Sequence, residues 1–283
     1  MRPIRGVRAV GVVIPARDEQ DRVVECLRSV RRSLHALPPS VDTAVTIVLD
    51  RCTDRTPELV LAELAGWPGA TAVRVAAVGG TRAGSAREPE PAHIVAGSGV
   101  GAVRDLGVRL TMRRLRGYRP RQVWLLHTDA DSQVPADWAT AHLRCAAAGA
   151  CGVAGTVDLR STARLSAAAL DRYQRIVDAG LTGAEHSHVY GANLGVRADA
   201  YLAVGGFPPD DPGEDHGLWS RLRAAGYPLA APAAIQVTTS ARTHGRAHGG
   251  LADLLRTLQD TTDPATLDEE PPLPEASDGD GGR

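Results

Sequence analysis

Short apolar segments alternate with helical segments through the first half of this chain, and that order limits the possible folds more than any other feature. Val10 to Ile14 is a continuous apolar run closed by Pro15, which is typical of a strand buried on both faces. Asp21 is then predicted to cap a helix whose apolar residues, between Val23 and Leu34, share one face. The alternation continues, with strands predicted at 44–49, 71–78 and 122–127 and helices opening at Thr56, Val100 and Pro135. Repeated strand–helix units predict an α/β fold with a mostly parallel sheet and helices on both faces.

The second half of the chain is less regular. Strands are predicted at 151–159 and 234–239, and helices at 163–179, 215–225 and 250–259. A glycine-rich segment of mixed character lies between them, at 189–207. Residues 79–99 lack periodicity and are predicted to form a mobile loop. The tail from residue 260 is rich in Asp, Glu, Pro and Gly, and is predicted to be disordered.

Composition argues against several classes of protein. The formal net charge of the 283 residues is −1, without the basic excess that nucleic-acid binding usually requires. We expect neither a signal peptide nor a membrane span, because the apolar runs are short. The four cysteines form no C-x-x-C pair, so we expect no zinc site of that kind and a reduced, cytoplasmic setting.

Acidic residues follow three of the predicted strands. Asp18 and Glu19 follow the first strand, Asp50 and Asp54 accompany the second, and Asp129 and Asp131 follow the fourth. In open α/β sheets, ligands bind beyond the carboxyl ends of the strands. Like charges gathered at one edge repel, so we expect a cation or hydrogen-bond donors among them.

The Asp129-Ala130-Asp131 triplet is the most specific of these acidic groups. Two carboxylates separated by one residue, just past a strand, can share one hard divalent cation such as Mg²⁺ or Mn²⁺. A metal held there would offset the charge that builds on a leaving diphosphate. The alternative is a solvated turn, because short triplets of this kind are common.

Six segments together resemble the family-two glycosyltransferases of the GT-A fold, in the order in which that family has them. The resemblance covers residues 10–255 and rests on VVIPARDE, IVLDRCTDRT, GVGAVRDLG, LLHTDADSQVPADW, VYGANLGVRADAYLAVGGFP and GEDHGLWSRLRAAGY. It implies a Rossmann-like, mostly parallel sheet flanked by helices, with a smaller mixed half on the acceptor side. One domain is expected over residues 1–259, with a nucleotide-binding half at 1–132 and an acceptor-side half at 133–259.

The resemblance also implies the roles of residues on the donor side. Asp50 would hydrogen-bond the base or ribose, although Leu49 replaces a carboxylate that often precedes it in the family. Arg104 would approach the base or diphosphate, the alternative being a solvated helix arginine. Asp129 would contact ribose or metal, and Asp131 would hold the metal. The wall of the nucleotide pocket would be formed by Pro15, Ala16, Arg17 and Glu19.

On the acceptor side, Glu214 and Asp215 match the family's E-D pair. In inverting members the Asp takes a proton from the acceptor hydroxyl, and a carboxylate near a bound sugar is well placed for this. The alternative is that Asp215 caps the following helix. Gly191, Ala192 and Asn193 would line the acceptor or sugar side, the alternative being an ordinary turn.

The polar segment 239–246 adds three further candidates. Arg242 and Arg246 could contact a diphosphate. His244 could be a third metal ligand, and the alternative for it is a solvated loop. The Q-x-x-R-W motif of processive synthases is missing from the sequence, which favours a single transfer.

The expected activity is transfer of a sugar from a nucleotide-sugar donor, such as a UDP- or GDP-sugar, to an unidentified acceptor hydroxyl, with Mg²⁺ or Mn²⁺ and with inversion. The first alternative is a retaining enzyme of the same fold, similar to glucosyl-phosphoglycerate synthases. The second is a nucleotidyltransferase, whose G-x-G-x-R loop does not fit residues 15–19. The third is a nucleotide-binding module without catalytic activity.

Overall fold

A seven-stranded sheet forms the centre of the structure, a computed structural model that describes residues 6–75, 99–160, 162–208, 213–245 and 250–261. The strands are β1 (Ala9–Ala16), β2 (Asp42–Asp50), β3 (Ala70–Val75), β4 (Val123–His127), β5 (Gly152–Ala154), β6 (Thr156–Arg160), β7 (Leu181–Thr182), β8 (Glu185–His186), β9 (Leu194–Arg197), β10 (Leu229–Ala230) and β11 (Gln236–Ser240). The helices are α1 (Val23–His35), α2 (Thr56–Leu64), α3 (Val100–Arg114), α4 (Trp138–Ala147), α5 (Ala167–Ala179), α6 (Ala198–Ala203), α7 (Glu214–Ala224) and α8 (Leu251–Asp260).

The central sheet has the order β10-β5-β9-β4-β1-β2-β3. Only β9 runs antiparallel to its neighbours in this sheet, and every other described pair is parallel. The chain adds β2 and β3 on one side of β1 and then returns to place β4 on the other side. The strand order therefore reverses between the paired strands β1 and β4. In sheets of this kind, ligands bind at the carboxyl ends of the strands at such a point.

Both faces of the sheet are buried, which explains the continuous apolar runs of its strands. Val10, Val12 and Ile14 point to one side of β1 and pack in the core with α1 and α4. Val13 points to the other side, towards α3, where a Cβ on Gly107 would lie 2.4 Å from its Cγ1 atom. Among the described residues, no helix is long and apolar enough to cross a bilayer.

The strand predicted at 151–159 is in fact two strands. It breaks at Gly155, so that β5 joins the central sheet while β6 pairs with β11 in a separate two-stranded sheet. A Cβ at Gly155 would lie 2.2 Å from Nδ2 of Asn193 and 2.4 Å from the carbonyl oxygen of Ile235, so only glycine fits. This turn carries β6 away from the central sheet and towards β11.

Two further sequence predictions differ from the structure or lie outside it. Asp21 does not cap α1, because the N-cap residue is Arg22 and no side-chain hydrogen bond caps that end. The predicted mobile loop lies outside the described residues except for Gly99, and so does the predicted disordered tail beyond Thr261. The cytoplasmic location stays a prediction.

Candidate active site

A cleft with a volume of about 570 Å³ lies at the carboxyl ends of β1, β2 and β4, where the strand order reverses. Segments from the second half of the chain, between Val157 and Leu254, close its other side. The residues of the sequence prediction that line this cleft are Pro15, Ala16, Arg17, Glu19, Asp50, Arg104, Asp129, Asp131, Gly191, Ala192, Glu214, Asp215 and Arg242.

Asp18 connects the loops after β1 and β2 by hydrogen bonds. Its carboxylate accepts hydrogen bonds from the backbone N–H groups of Thr53 (2.6 Å) and Asp54 (3.3 Å). Asp18 and Arg51 both have left-handed backbones, with φ of 51° and 50°. Such conformations are costly for residues other than glycine, and they persist where surrounding contacts impose them. Asp18 therefore shapes this edge of the cleft by joining the two loops.

Asp50 is paired with a residue that the sequence analysis did not single out. Arg51 places Nε 2.8 Å from Oδ1 of Asp50 and Nη2 3.1 Å from Oδ2. Arg51 also lines the cleft, so this wall carries a guanidinium beside the carboxylate. The side-chain hydrogen bond to Asp50 raises the pKa of Arg51 above its usual value. The left-handed backbone that folds Arg51 onto its neighbour leaves no signal in the sequence.

Arg104 joins the two halves of the cleft. Its Nη2 lies 2.6 Å from Oδ1 of Asp129, and its Nε lies 3.0 Å from Oε1 of Glu214. Arg104 is only 2% exposed, so it is not the solvated helix residue that we considered. A Cβ on Gly191 would lie 2.6 Å from Nη2, so glycine is needed where this backbone passes the guanidinium. One buried cation thus connects α3, the loop after β4 and the start of α7.

Glu214 and Asp215 begin α7 but face different partners. Burial raises the pKa of Glu214 above its usual value, although Arg104 opposes this shift. Oδ2 of Asp215 accepts the Gly191 N–H at 2.7 Å, and Oδ1 accepts the His216 N–H at 2.8 Å. The N-cap position belongs to Gly213, so Asp215 is the second residue of the helix. The two backbone bonds fix the Asp215 carboxylate in the lining of the cleft.

The Asp129–Asp131 pair has the chemistry of a hard-cation site. Asp131 is 6% exposed, and its pKa is raised to about 6 by burial and by Asp129 and Glu19, against the opposing effect of Arg242. Arg242 spans Oε1 of Glu19 at 2.6 Å and Oδ2 of Asp131 at 3.2 Å. The described residues include no cluster of three or more His, Cys, Asp or Glu side chains that could hold a metal ion. Two carboxylates completed by phosphate oxygens and water still suit Mg²⁺ or Mn²⁺.

Asn193 lies next to the cleft but does not belong to its lining. It is fully buried, and its Oδ1 accepts the indole N–H of Trp138 at 2.9 Å and lies 3.1 Å from Nε2 of His142. Its Nδ2 donates to the carbonyl oxygens of Thr156 and Ile235, at 2.8 and 2.9 Å. These contacts use the whole hydrogen-bonding capacity of the amide, which favours a structural function.

The last two candidates come from the polar segment 239–246. His244 is exposed, its Nδ1 lies 3.2 Å from the Thr243 hydroxyl, and it is not among the residues that line the cleft. Its metal-ligand role stays a prediction. Arg246 lies outside the described residues.

We predict that Asn193→Ala lowers the free energy of unfolding by about 3 kcal/mol or more. The substitution leaves several buried donors and acceptors without partners, each at a cost of about 1–3 kcal/mol. Denaturant unfolding measures the loss, and nucleotide binding of the folded variant should stay close to that of the wild type. Unchanged stability with impaired binding would instead make Asn193 a substrate contact.

We predict that Arg104→Met lowers the free energy of unfolding by about 3–5 kcal/mol, because it leaves a buried carboxylate without its counter-charge. Arg109→Met is the matched control on the same helix, since the Arg109 side chain is 58% exposed in its pair with Asp105. That control should cost about 1 kcal/mol or less. Similar losses for the two variants would contradict the assignment of Arg104 as the connection between the halves.

No family model and no curated protein matches this chain. Solved structures do match it. The mannosyltransferase PcManGT from Pyrobaculum calidifontis, in complex with GDP-Man and Mn²⁺, has a TM-score of 0.58 at 18% identity. The alignment covers 86% of this chain and 59% of that protein.

Two further solved structures match this chain with similar TM-scores. TarS from S. aureus, in complex with UDP-GlcNAc, has a TM-score of 0.57 at 11% identity, covering 88% of this chain and 65% of that one. GalNAc-T7 with UDP, GalNAc and Mn²⁺ has a TM-score of 0.56 at 12% identity, covering 87% and 45%. This chain thus matches less than two thirds of the length of each protein. The likeness confirms the predicted fold, a GT-A arrangement with a mostly parallel sheet.

Proposed function

We propose that this protein is a glycosyltransferase that moves a sugar from a nucleotide-sugar donor to an acceptor hydroxyl with the help of a divalent metal ion. The observation that carries the proposal is that a single cleft contains both the Asp129–Asp131 pair and Asp215. Arg104 pairs with Asp129 and with Glu214, the residue that precedes Asp215. The likeness of the fold to proteins solved with GDP-Man, UDP-GlcNAc or UDP supports it.

The donor would lie along the loops after β1, β2 and β4. Asp50 can accept hydrogen bonds from the base or ribose, and Arg51 supplies donors beside it. Arg17 and Arg242 line the same cleft and offer guanidinium groups that suit phosphate oxygens. Asp129 and Asp131 would hold Mg²⁺ or Mn²⁺, which supplies charge neutralisation for the leaving diphosphate when bound.

Asp215 is the group we assign to proton transfer. It would accept the proton of the acceptor hydroxyl while the oxygen forms a bond to the anomeric carbon. The bond between that carbon and the phosphate oxygen breaks, and its electron pair leaves with the nucleoside diphosphate. Attack from the face opposite the leaving group inverts the anomeric configuration. The hydrogen bonds from the Gly191 and His216 N–H groups hold the carboxylate in place for this step.

We predict that Asp131→Asn abolishes the Mn²⁺ dependence of nucleotide binding. The variant keeps the size of the side chain but loses the charge that a hard cation requires, so affinity for UDP or GDP with Mn²⁺ should fall at least about tenfold. Calorimetric titration with and without Mn²⁺ measures this loss. Asp137→Asn is the control, since Asp137 is exposed just after the same loop.

Equal Mn²⁺ dependence in wild type and Asp131→Asn would remove Asp131 from the metal site. Failure of the wild-type protein to bind UDP, GDP, ADP or TDP under any of these conditions would contradict the proposed function as a whole.

We predict that Asp215→Asn lowers kcat by about 10²–10⁴-fold and leaves donor affinity close to that of the wild type. Asn can still accept the Gly191 N–H, but it cannot take up a proton. Release of nucleoside diphosphate measures turnover, and NMR of the product gives its anomeric configuration. If Asp215 only supports the first turn of α7, Asp215→Ala should cost about 0.3–1 kcal/mol of stability and Asp215→Asn should keep its turnover.

A further inference from the structure

Part of the cleft lining is apolar and has no function in the donor site described above. We call this surface the apolar wall and define it by five residues of the acceptor-side half. They come from β6, from the segment before the turn at 191–193, and from α8, and they are Val157, Val189, Tyr190, Leu251 and Leu254. The two valines are buried, so the partly exposed Tyr190, Leu251 and Leu254 supply most of the accessible surface.

Helix α8 contributes to two surfaces at once. Leu255 and Leu258 are buried and pack in a core with Ala169 and Tyr173 of α5. Leu251 and Leu254 border that core, but they stay partly exposed and line the cleft. Leu251 and Leu254 therefore contact the core with one part of their side chains and border the cleft with another.

Tyr190 is held in one orientation by a stack of rings. His188 stacks on it with a centroid distance of 5.8 Å and an interplanar angle of 28°. His186, which is nearly buried, stacks in turn on His188 at 6.1 Å. A side chain fixed in this way loses little freedom when a ligand covers it, which favours binding.

The apolar wall continues to the group that we assign to proton transfer. Gly191 directly follows Tyr190, and its N–H donates to Asp215 at 2.7 Å. A ligand whose hydroxyl lies at Asp215 would therefore extend its remaining part over Tyr190, the partly exposed residue next to Gly191. A diphosphate does not suit such a surface, because burying its charges without partners is costly.

We infer that the acceptor is an amphiphile, with its hydroxyl at Asp215 and an aliphatic portion against the apolar wall. The inference rests on the proposed function, since it concerns the second substrate of the same cleft. The acceptor would be an aliphatic alcohol or an alkyl-bearing sugar, and not a wholly polar sugar.

The test is a series of alkyl β-D-glucosides from methyl to octyl, titrated below their micelle concentrations into the full chain with Mn²⁺ and UDP or GDP. Affinity should rise by up to about fourfold for each added methylene that the wall buries. Leu254→Gln should flatten this rise. Leu202→Gln is the matched control and should keep it, because Leu202 is a leucine of α6, 53% exposed, that does not line the cleft.

Leu254→Gln removes a leucine that packs against the core, so a second variant tests the same surface without that loss. Ala252→Gln adds a polar group to the same lining and removes no packed leucine, so it should also flatten the series. An affinity that does not depend on chain length in the wild type would overturn the inference. So would a rise that persists equally in Leu254→Gln, Ala252→Gln and Leu202→Gln.

Nucleotide binding with Mn²⁺, measured on the same samples, separates the two proposals. Normal nucleotide binding with a flat alkyl series would overturn the amphiphilic acceptor and leave the glycosyltransferase proposal standing. A clear alkyl series in a protein that binds no nucleotide would overturn the proposed function instead.

Discussion

The buried guanidinium of Arg104 is the interaction on which the arrangement of the cleft depends. Taking a cation out of water costs several kcal/mol unless counter-charges and hydrogen bonds surround it. Asp129 and Glu214 supply them, and they lie 25 and 110 positions from Arg104 in sequence. Gly191 and Gly101 leave room for this site, since a Cβ at Gly191 would lie 2.6 Å from Nη2 of Arg104 and a Cβ at Gly101 would lie 3.0 Å from Cβ of Glu214. The end of β4 and the start of α7 are therefore placed by one charge.

The charge of the whole cleft supports the proposed metal ion. Six carboxylates line it and face four arginines among the described residues, an excess of two negative charges. The raised pKa of Asp131 reflects this excess together with its burial. A diphosphate would add further negative charge, so it would be repelled from the cleft as it stands. A divalent cation would balance the carboxylates and attract the diphosphate, which is why the proposed reaction requires one. The lining carboxylates are Glu19, Asp50, Asp129, Asp131, Glu214 and Asp215, and the arginines are Arg17, Arg51, Arg104 and Arg242.

The central sheet and most of the cleft could be predicted from the sequence, because both follow from local patterns. Apolar runs mark strands that are buried on both faces, and the rule about strand ends places Asp50, Asp129 and Asp131 at one edge. What the sequence did not predict depends on contacts between distant segments. The break at Gly155 exists because Asn193 and Ile235 approach its backbone, although a lone glycine in a strand is a signal of such an approach.

The proposed donor side of this cleft is easier to recognise from the sequence than the acceptor side, because it follows from local patterns and the acceptor side depends on contacts between distant segments. Most residues of the proposed donor side follow β1, β2 or β4, so each of these is positioned by its own strand and a short loop. The acceptor side is assembled around Asn193, whose amide joins α4, the start of β6 and the residue before β11. Its surface depends on packing between α8, β6 and the segment ending at Tyr190, none of which forms a motif. The chemistry of the acceptor therefore has to be inferred from the folded surface, and the apolar wall is the part of that surface from which we infer it.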